Sequence, residues 1–507
     1  MGVKIPELVW RIPLGALGGL LALYAFPTEN IWILAPLIPA LILLATLGLG
    51  FWKAVVIGFI ASQVFYISHI EWISLYLGPV PLIALSTLMS FFFALGVGAT
   101  AWLYKKWKPK KSGLLFFALA SASIWTFREF LANNFPYGGF PWSRLSMTQP
   151  SSFMNQWVYF GGMSMLSFAL ALMGGILAVW LLHRRGRNAM RKTSALITLS
   201  VLVITPLITG LANNPQPITT KTIAAVQGNA NAGLFSNLQR GSILENHLSA
   251  SELIFDSELA GDIDLLVWPE NASDLDPLRD AEAAKKIDEL AKRVGAPFSF
   301  GTITTRGGEN FNTTLLWEPG VGAVDFYDKQ QPVPFAEFVP DREFWRLFAP
   351  TLIDMVPEGF SFGTRDGIYE VSDDFTAGTL ICFEIAEDSI LRELVAGGAE
   401  VILSQTNNAD FGYSDETYQQ AGIAQLRAIE TGRAVVNIST VGLSAIYLPT
   451  GKALSELTWY QEGAMVEKVP LFNGTTPAML LGQTFEFANM IAAIGFLFVF
   501  GIRRKRR

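Results

Sequence analysis

Cysteine is nearly absent from this chain: Cys382 is the only one in 507 residues. A lone thiol excludes an intrachain disulfide and leaves the redox compartment unread. Histidine is almost as scarce, at positions 69, 183 and 247. One cysteine and three scattered histidines argue against a zinc site, and no metal or cofactor is expected. Only His247 lies in the polar part of the chain, within an expected helix. A Cys–His dyad or a Ser–His–Asp triad therefore has no base near the thiol. Charge is thin as well. Charged residues make up 16% and hydrophobic ones 51%, too apolar for an ordinary soluble protein and consistent with membrane spans.

The apolar material is concentrated in the first 215 residues, in stretches at about 12–26, 31–50, 54–75, 79–103, 113–132, 156–182 and 194–212. Each approaches the ~20 residues that cross a bilayer, although the first is short. That first stretch follows Lys4 and Arg11 as a signal peptide would, but no small-residue cleavage site followed by a soluble domain accompanies it. Positive charge sorts by loop. Lys105, Lys106, Lys108, Lys110 and Lys111 follow the fourth stretch, and Arg184, Arg185, Arg187, Arg191 and Lys192 follow the sixth. The alternate loops carry almost none. This asymmetry predicts a cytoplasmic N-terminus and, after seven crossings, an extracytoplasmic segment from about residue 216. A further apolar stretch, about 487–502, runs into Arg503, Arg504, Lys505, Arg506 and Arg507, which must stay inside. The expected organisation is a membrane domain over 1–215 with about seven transmembrane helices, an extracytoplasmic catalytic domain over 216–470, and a closing transmembrane helix with a basic cytoplasmic tail over 471–507.

Between residues 216 and 470 strand-like and helix-like segments alternate. Strands are expected at 220–227, 264–269, 297–304, 312–318, 323–329, 376–382, 400–405, 434–439 and 443–449. Helices are expected at 240–259, 279–294, 386–396 and 416–432. This alternation predicts α/β layers around one core.

The informative stretch is FTAGTLICFE, 375–384. It reads as a buried central strand that hands over to a helix, with Cys382 at the junction. A thiol there faces the positive end of the helix dipole, which favours thiolate; a lone cysteine also serves as a small buried hydrophobe. A cysteine nucleophile needs a base or a cation. DLLVWPENA ends a strand at Glu270, and VDFYDKQQPVPFAEFVP ends one at Lys329 before looping through Glu337. Ligands in open α/β sheets bind at the carboxyl ends of strands, where all three residues fall. Glu270 can take the thiol proton, while Lys329 steadies first the thiolate and then the oxyanion.

The set WPEN, YDKQQPVPFAEFVP and ICFEI resembles the nitrilase superfamily, which uses a Glu–Lys–Cys triad on an α-β-β-α sandwich. With spans on both sides, the whole chain resembles the apolipoprotein N-acyltransferase family. VQGN at 226–229, FPYGGFPWSRL at 135–145, and NNADFG followed by RAIETGRAVV match as well. The resemblance implies a multi-pass helical membrane domain joined to a nitrilase-like sandwich. It implies Glu270 as general base, Lys329 at the oxyanion and Cys382 as nucleophile. Glu337 and Glu384 are then supporting glutamates, and Phe383, where Tyr is common, offers its backbone N–H. Two departures stand out. Asp410 occupies a position where the family commonly has Trp, and a Trp expected after VQGN is replaced by the neighbourhood of Leu234 and Phe235.

The activity so implied is acyl transfer from a phospholipid, through a Cys382 thioester, to the α-amino group of a diacylglyceryl-lipoprotein. It belongs at the bacterial inner (cytoplasmic) membrane, with no nucleic acid involved. The segment 340–357, with Phe344, Trp345, Leu347, Phe348, Leu352 and Met355, is either an apolar arm reaching into lipid or a part that packs on its own domain. Two other classes fit less of the chain. A membrane-tethered amidase hydrolysing a small amide would share the triad but needs no such number of spans. A scaffold or transporter would leave the three strand-end residues unexplained.

Overall fold

The computed structural model describes residues 7–110, 113–183, 192–212, 215–233, 236, 239–356 and 359–501. The chain divides into two compact units. One comprises Met1–Ser74, Gly78–Asn213 and Thr476–Arg507; the other comprises Asn214–Thr475 with Leu75–Leu77. Lys4, Lys111, Arg184, Arg185, Arg187, Arg191, Arg503, Arg504, Lys505, Arg506 and Arg507, on which much of the charge-sorting argument rests, lie outside the described residues, as do Leu234 and Phe235.

The first unit is helical. Among the described residues seven helices are long and apolar enough to cross a membrane: Leu8–Ala25, Phe51–His69, Pro79–Trp107, Leu114–Asn134, Phe153–His183, Lys192–Ala212 and Pro477–Gly501. The span expected at 31–50 takes a different form. A single turn, Trp32–Leu34, leads to the ten-residue helix Leu37–Thr46. Pro36 caps that helix without an N–H to continue the preceding turn, and at Leu47 the backbone turns extended. Trp32–Thr46 is thus a short apolar segment, about 22 Å at helical rise, beside six full-length helices that precede the sheet region.

Arg128 and Glu129, charged residues inside this unit, are partnered. The buried Arg128 guanidinium lies 4.3 Å from the Phe93 and Trp125 ring centroids. Glu129 accepts from Trp125 Nε1 at 2.9 Å and from the Leu145 N–H at 3.0 Å. An ionisable pair among apolar helices is tolerable only with such partners. The closing helix joins the others through polar side chains: Ser164 donates to Glu486 at 2.7 Å, and Asn489 donates to Thr126.

Among the described residues the second unit holds twelve strands: β1 Thr219–Gln227, β2 Leu265–Val267, β3 Phe298–Arg306, β4 Glu309–Glu318, β5 Gly322–Asp328, β6 Ile368–Ser372, β7 Phe375–Ile381, β8 Val401–Thr406, β9 Ala434–Ser439, β10 Ser444–Tyr447, β11 Ala453–Leu457 and β12 Gly463–Leu471. They form two six-stranded sheets, ordered β12-β1-β2-β3-β4-β5 and β11-β10-β9-β8-β7-β6. Strands β1, β2 and β3 run parallel, as do β7, β8 and β9, with antiparallel strands outside each set.

Side-chain alternation builds the layers. Along β1, Ile223 and Ala225 enter the core shared by the two sheets, while Ala224 and Val226 face the helices Ser242–Ala250 and Ala281–Val294. The helix Ala281–Val294 is a clear case of local coding. Asp280 caps it by accepting from the Glu282 and Ala283 N–H groups, Ala283, Ile287, Leu290, Ala291 and Val294 form its buried stripe, and Gly295 ends it at φ +77°. The helices Asp388–Ala396 and Glu416–Thr431 belong to the second sheet's half. The architecture is the expected α-β-β-α sandwich.

Buried polar links tie the sheets together. Tyr369 on β6 donates to the Thr314 carbonyl of β4 at 2.8 Å. Gln405 on β8 donates to the Trp268 carbonyl at 2.6 Å, just before Glu270.

Candidate active site

Cys382 follows β7 and opens a one-turn 3₁₀ helix, Cys382–Ala386, at φ +54°. A left-handed conformation is costly for a residue with a Cβ, and such strain persists where the surroundings over-determine it. The residue as a whole is half-buried and its thiol is enclosed. Burial pushes the thiol well above its ordinary pKa, Glu270 adds to that, and Lys329 opposes it. The expectation of a dipole-stabilised thiolate is therefore corrected. The regular helix begins only at Asp388, so it is one short turn that heads the thiol, and burial with Glu270 favours the protonated sulfur.

Glu270 reaches this thiol from the turn after β2. It is buried, with Asn312 donating to Oε1 at 2.7 Å and the Asn407 N–H donating to Oε2 at 2.8 Å. Burial raises its pKa; Lys329 lowers it, Glu337 raises it, and hydrogen bonds from Asn312 and the Cys382 thiol lower it. A carboxyl with a raised pKa beside a thiol is suited to carry a proton in both directions.

Lys329 follows β5 and is almost wholly buried. Burial alone would lower its pKa, but the carboxylates of Glu337 and Glu270 outweigh that and hold it above the ordinary lysine value. Its Nζ lies 2.9 Å from Glu337 Oε2 and 3.6 Å from Glu270 Oε1. Glu337 also accepts from the Val333 N–H at 2.7 Å and from Asn312 at 3.0 Å. Asn312 therefore spans the two glutamates with one amide nitrogen.

Glu384 is fully buried and acts as a staple. It accepts from the N–H groups of Gln330 at 2.7 Å, Gln331 at 3.0 Å and Ile381 at 2.8 Å, and from the Tyr327 hydroxyl at 3.0 Å. Through it the backbone after Lys329 is fixed to the backbone before Cys382. Burial pushes its carboxyl up to about 7 against the pull of these donors. Phe383 is buried beside it.

Two glycines make the convergence possible. A Cβ on Gly301 of β3 would stand 2.6 Å from Glu270 Cα, and one on Gly363 would collide with the Asp328 carbonyl next to Lys329.

The remaining predicted residues lie around this centre. Asp410 sits on a single turn, Ala409–Phe411, with its carboxyl pushed up to about 6 by burial and by Glu270. Trp345 is half-buried and packs edge-on to Phe335, in the loop of Glu337, at 5.4 Å between ring centroids. Its neighbours Phe344, Leu347 and Phe348 are 52%, 79% and 70% exposed. Within the segment one ring packs on its own domain, while Phe344, Leu347, Phe348 and Met355 are exposed. His247 is buried against Trp268 and takes no part.

Four residues around the site are not singled out by the sequence: Asn312, Asn408, Glu416 and Gln420. Gln420 Nε2 lies 4.0 Å from Cys382 Sγ. Asn408 donates at 2.6 Å to both Glu416 and Gln420. The signals present are the NNADFG run that holds Asn408 and an acidic residue opening a helix. Neither marks a side chain as buried.

Both parts of the chain are similar to known proteins. Residues 18–176 match the family model described as apolipoprotein N-acyltransferase N-terminal domain, and residues 222–473 match that for carbon-nitrogen hydrolase. The chain is 32% identical to the apolipoprotein N-acyltransferase of Mycolicibacterium smegmatis, over 96% of this chain and 84% of that protein. It is 26% identical to the one of Vibrio vulnificus, over 92% of each. Among solved structures, an amidase from Nesterenkonia sp. aligns with 17% identity and a TM-score of 0.40, over 55% of this chain and 99% of the amidase.

Proposed function

The chain belongs to the apolipoprotein N-acyltransferase family, and from that premise we propose that it is a ping-pong acyltransferase in which Cys382 carries the acyl group between a phospholipid and a lipoprotein. In the first half, Glu270 takes the thiol proton as sulfur attacks an ester carbonyl of the phospholipid. The C–O bond breaks, Glu270 protonates the departing alcohol, and a lysophospholipid leaves behind a thioester. In the second half, the α-amino group of an S-diacylglyceryl-cysteine attacks that thioester. The C–S bond breaks and the sulfur regains a proton through Glu270. Lys329, with the backbone N–H of Phe383, steadies the oxyanion in both halves.

The observation that carries this reading is the meeting of Glu270, Lys329 and Cys382 from three separate strand ends, with Glu337 as the nearer anion to the lysine. The exposed apolar side chains of 344–348 favour a lipid donor over a small soluble amide. The working site is the bacterial inner membrane. Residues 216–470 face its extracytoplasmic side if Trp32–Thr46 counts as a crossing, giving seven before the sheet unit and one after.

The test is direct. The full-length protein in detergent is given phospholipid without acceptor, and its intact mass is taken before and after hydroxylamine, beside Cys382→Ser. A hydroxylamine-labile adduct of acyl mass, absent from the variant, is expected. Absence of both adduct and lysophospholipid would remove the lipid donor and leave amide hydrolysis as the better reading.

A further inference from the structure

Glu416 is the feature of the site that the transfer mechanism leaves without a task. It opens the helix Glu416–Thr431 and is 2% exposed. Its Oε2 accepts from Asn408 at 2.6 Å. It is not isolated from the chemistry. Asn408 and Gln420 connect it to Cys382, and its charge acts on the thiol. The titratable groups that sense it or act on it come from three other places: Glu270 after β2, Cys382 after β7, and Tyr460 between β11 and β12. None of these is a cation, and the ion pair of Lys329 is made with Glu337 and Glu270.

A buried carboxyl without a cation is expensive, and it is retained where a positive group arrives to pair with it. The acceptor in the second half-reaction brings such a group. An α-amine has an ordinary pKa near 8, so much of it reaches the site as ammonium. Ammonium has no lone pair for attack. The proton balance makes the difficulty concrete. Converting ammonium and thioester to amide and thiol releases one proton overall, because the nitrogen loses two and the sulfur recovers only one. Glu270 relays the proton that returns to sulfur. The other needs a second acceptor.

We propose that Glu416 is that acceptor: it pairs with the α-ammonium group of the incoming lipoprotein and takes one proton from it, delivering a neutral amine to the thioester. The amine nitrogen then attacks the thioester carbonyl. Glu270 removes the second N–H proton, the C–S bond breaks, and Glu270 returns that proton to sulfur. The proton on Glu416 leaves to water as the product departs. Burial and the nearby Glu270 push the Glu416 carboxyl up to about 8, with the Asn408 hydrogen bond opposing, which brings it level with the amine it would deprotonate. Glutamine at this position keeps an acceptor for Asn408 but cannot take the proton.

The inference rests on the transfer reading above, and the test separates the two. The full-length enzyme and Glu416→Gln are acylated with phospholipid, freed of excess donor, and chased either with a diacylglyceryl-cysteinyl peptide or with hydroxylamine, which is uncharged at neutral pH. Glu416→Gln is expected to slow transfer to the peptide about 100-fold while transfer to hydroxylamine stays within about threefold of the parent. Its peptide rate should rise with pH until the amine is deprotonated in solution. Equal slowing toward both nucleophiles would assign Glu416 a purely structural part and overturn the proposal, as would an unchanged peptide rate. Failure of the parent to form any acyl-enzyme would overturn the transfer reading itself, and this inference with it.

Discussion

Glu337, rather than Glu270, is the nearer anion to Lys329: the ammonium stands 2.9 Å from the first and 3.6 Å from the second. The difference decides how the proposed triad can work. A lysine paired wholly with Glu270 would hold that carboxylate ionised and weakly basic. With Glu337 taking the closer contact, Glu270 keeps a raised pKa and can receive the thiol proton.

Replacing Glu337 by Gln therefore has a signed consequence. Loss of a like charge lowers the pKa of Glu270, and Lys329, left with one carboxylate, lowers it further. The acid limb of the pH profile for acyl-enzyme formation should move to lower pH, while the plateau rate falls about 100-fold as Glu270 becomes a poorer base. Stopped-flow or quenched measurements of Cys382 acylation against pH check both. An acid limb moving upward would contradict the assignment.

Glu384 should separate architecture from chemistry. Glu384→Ala leaves the N–H groups of Gln330, Gln331 and Ile381 and the Tyr327 hydroxyl without their shared acceptor. Each unsatisfied buried donor costs about 1–3 kcal/mol, so thermal unfolding in detergent should show a large loss. Glu384→Gln retains one acceptor oxygen and should lose less. Both should acylate slowly, because the segments bearing Lys329 and Cys382 are no longer held in register.

Gly301 tests whether the proposed general base, Glu270, depends on a close approach of backbone to backbone. In Gly301→Ala the added carbon meets the Glu270 Cα, the Asn271 nitrogen and the Pro269 carbonyl, at 2.6, 2.7 and 2.7 Å. Backbone cannot yield as a side-chain tip can. A cost of about 2 kcal/mol in stability is expected, with acylation slowed roughly 100-fold by a displacement of Glu270 on the order of 1 Å. Normal acylation in a folded Gly301→Ala protein would show that Glu270 has more freedom than this packing implies.

Several elements are legible in the amino-acid order itself. Strands β1, β7 and β9 lie within a residue of their expected bounds, because long apolar runs with polar flanks have few other uses. Strands β6, β11 and β12 have no such signal. β6 and β11 are short, β12 carries Pro470 and alternating charge, and all three lie at the edges of their sheets. An edge strand needs only one buried face, so its composition says little. β12 exists because all nine of its residues pair with β1.

The sequence by itself determined the apolar helices, the alternation of strands and helices in α/β layers, and the identity of Glu270, Lys329 and Cys382 as strand-end residues, since hydropathy, periodicity and chain position are local properties. The tertiary structure alone decided how those three behave. A pKa depends on which charges and dipoles crowd a group across space. Glu337 takes the lysine, Glu384 ties two loops, Asn312 bridges two carboxylates, and Glu416 and Gln420 arrive from one face of a helix whose polar residues look solvent-facing when read in line. The thiol, expected as a thiolate, is pushed toward its protonated form for the same reason: burial and a neighbouring carboxyl raise its pKa.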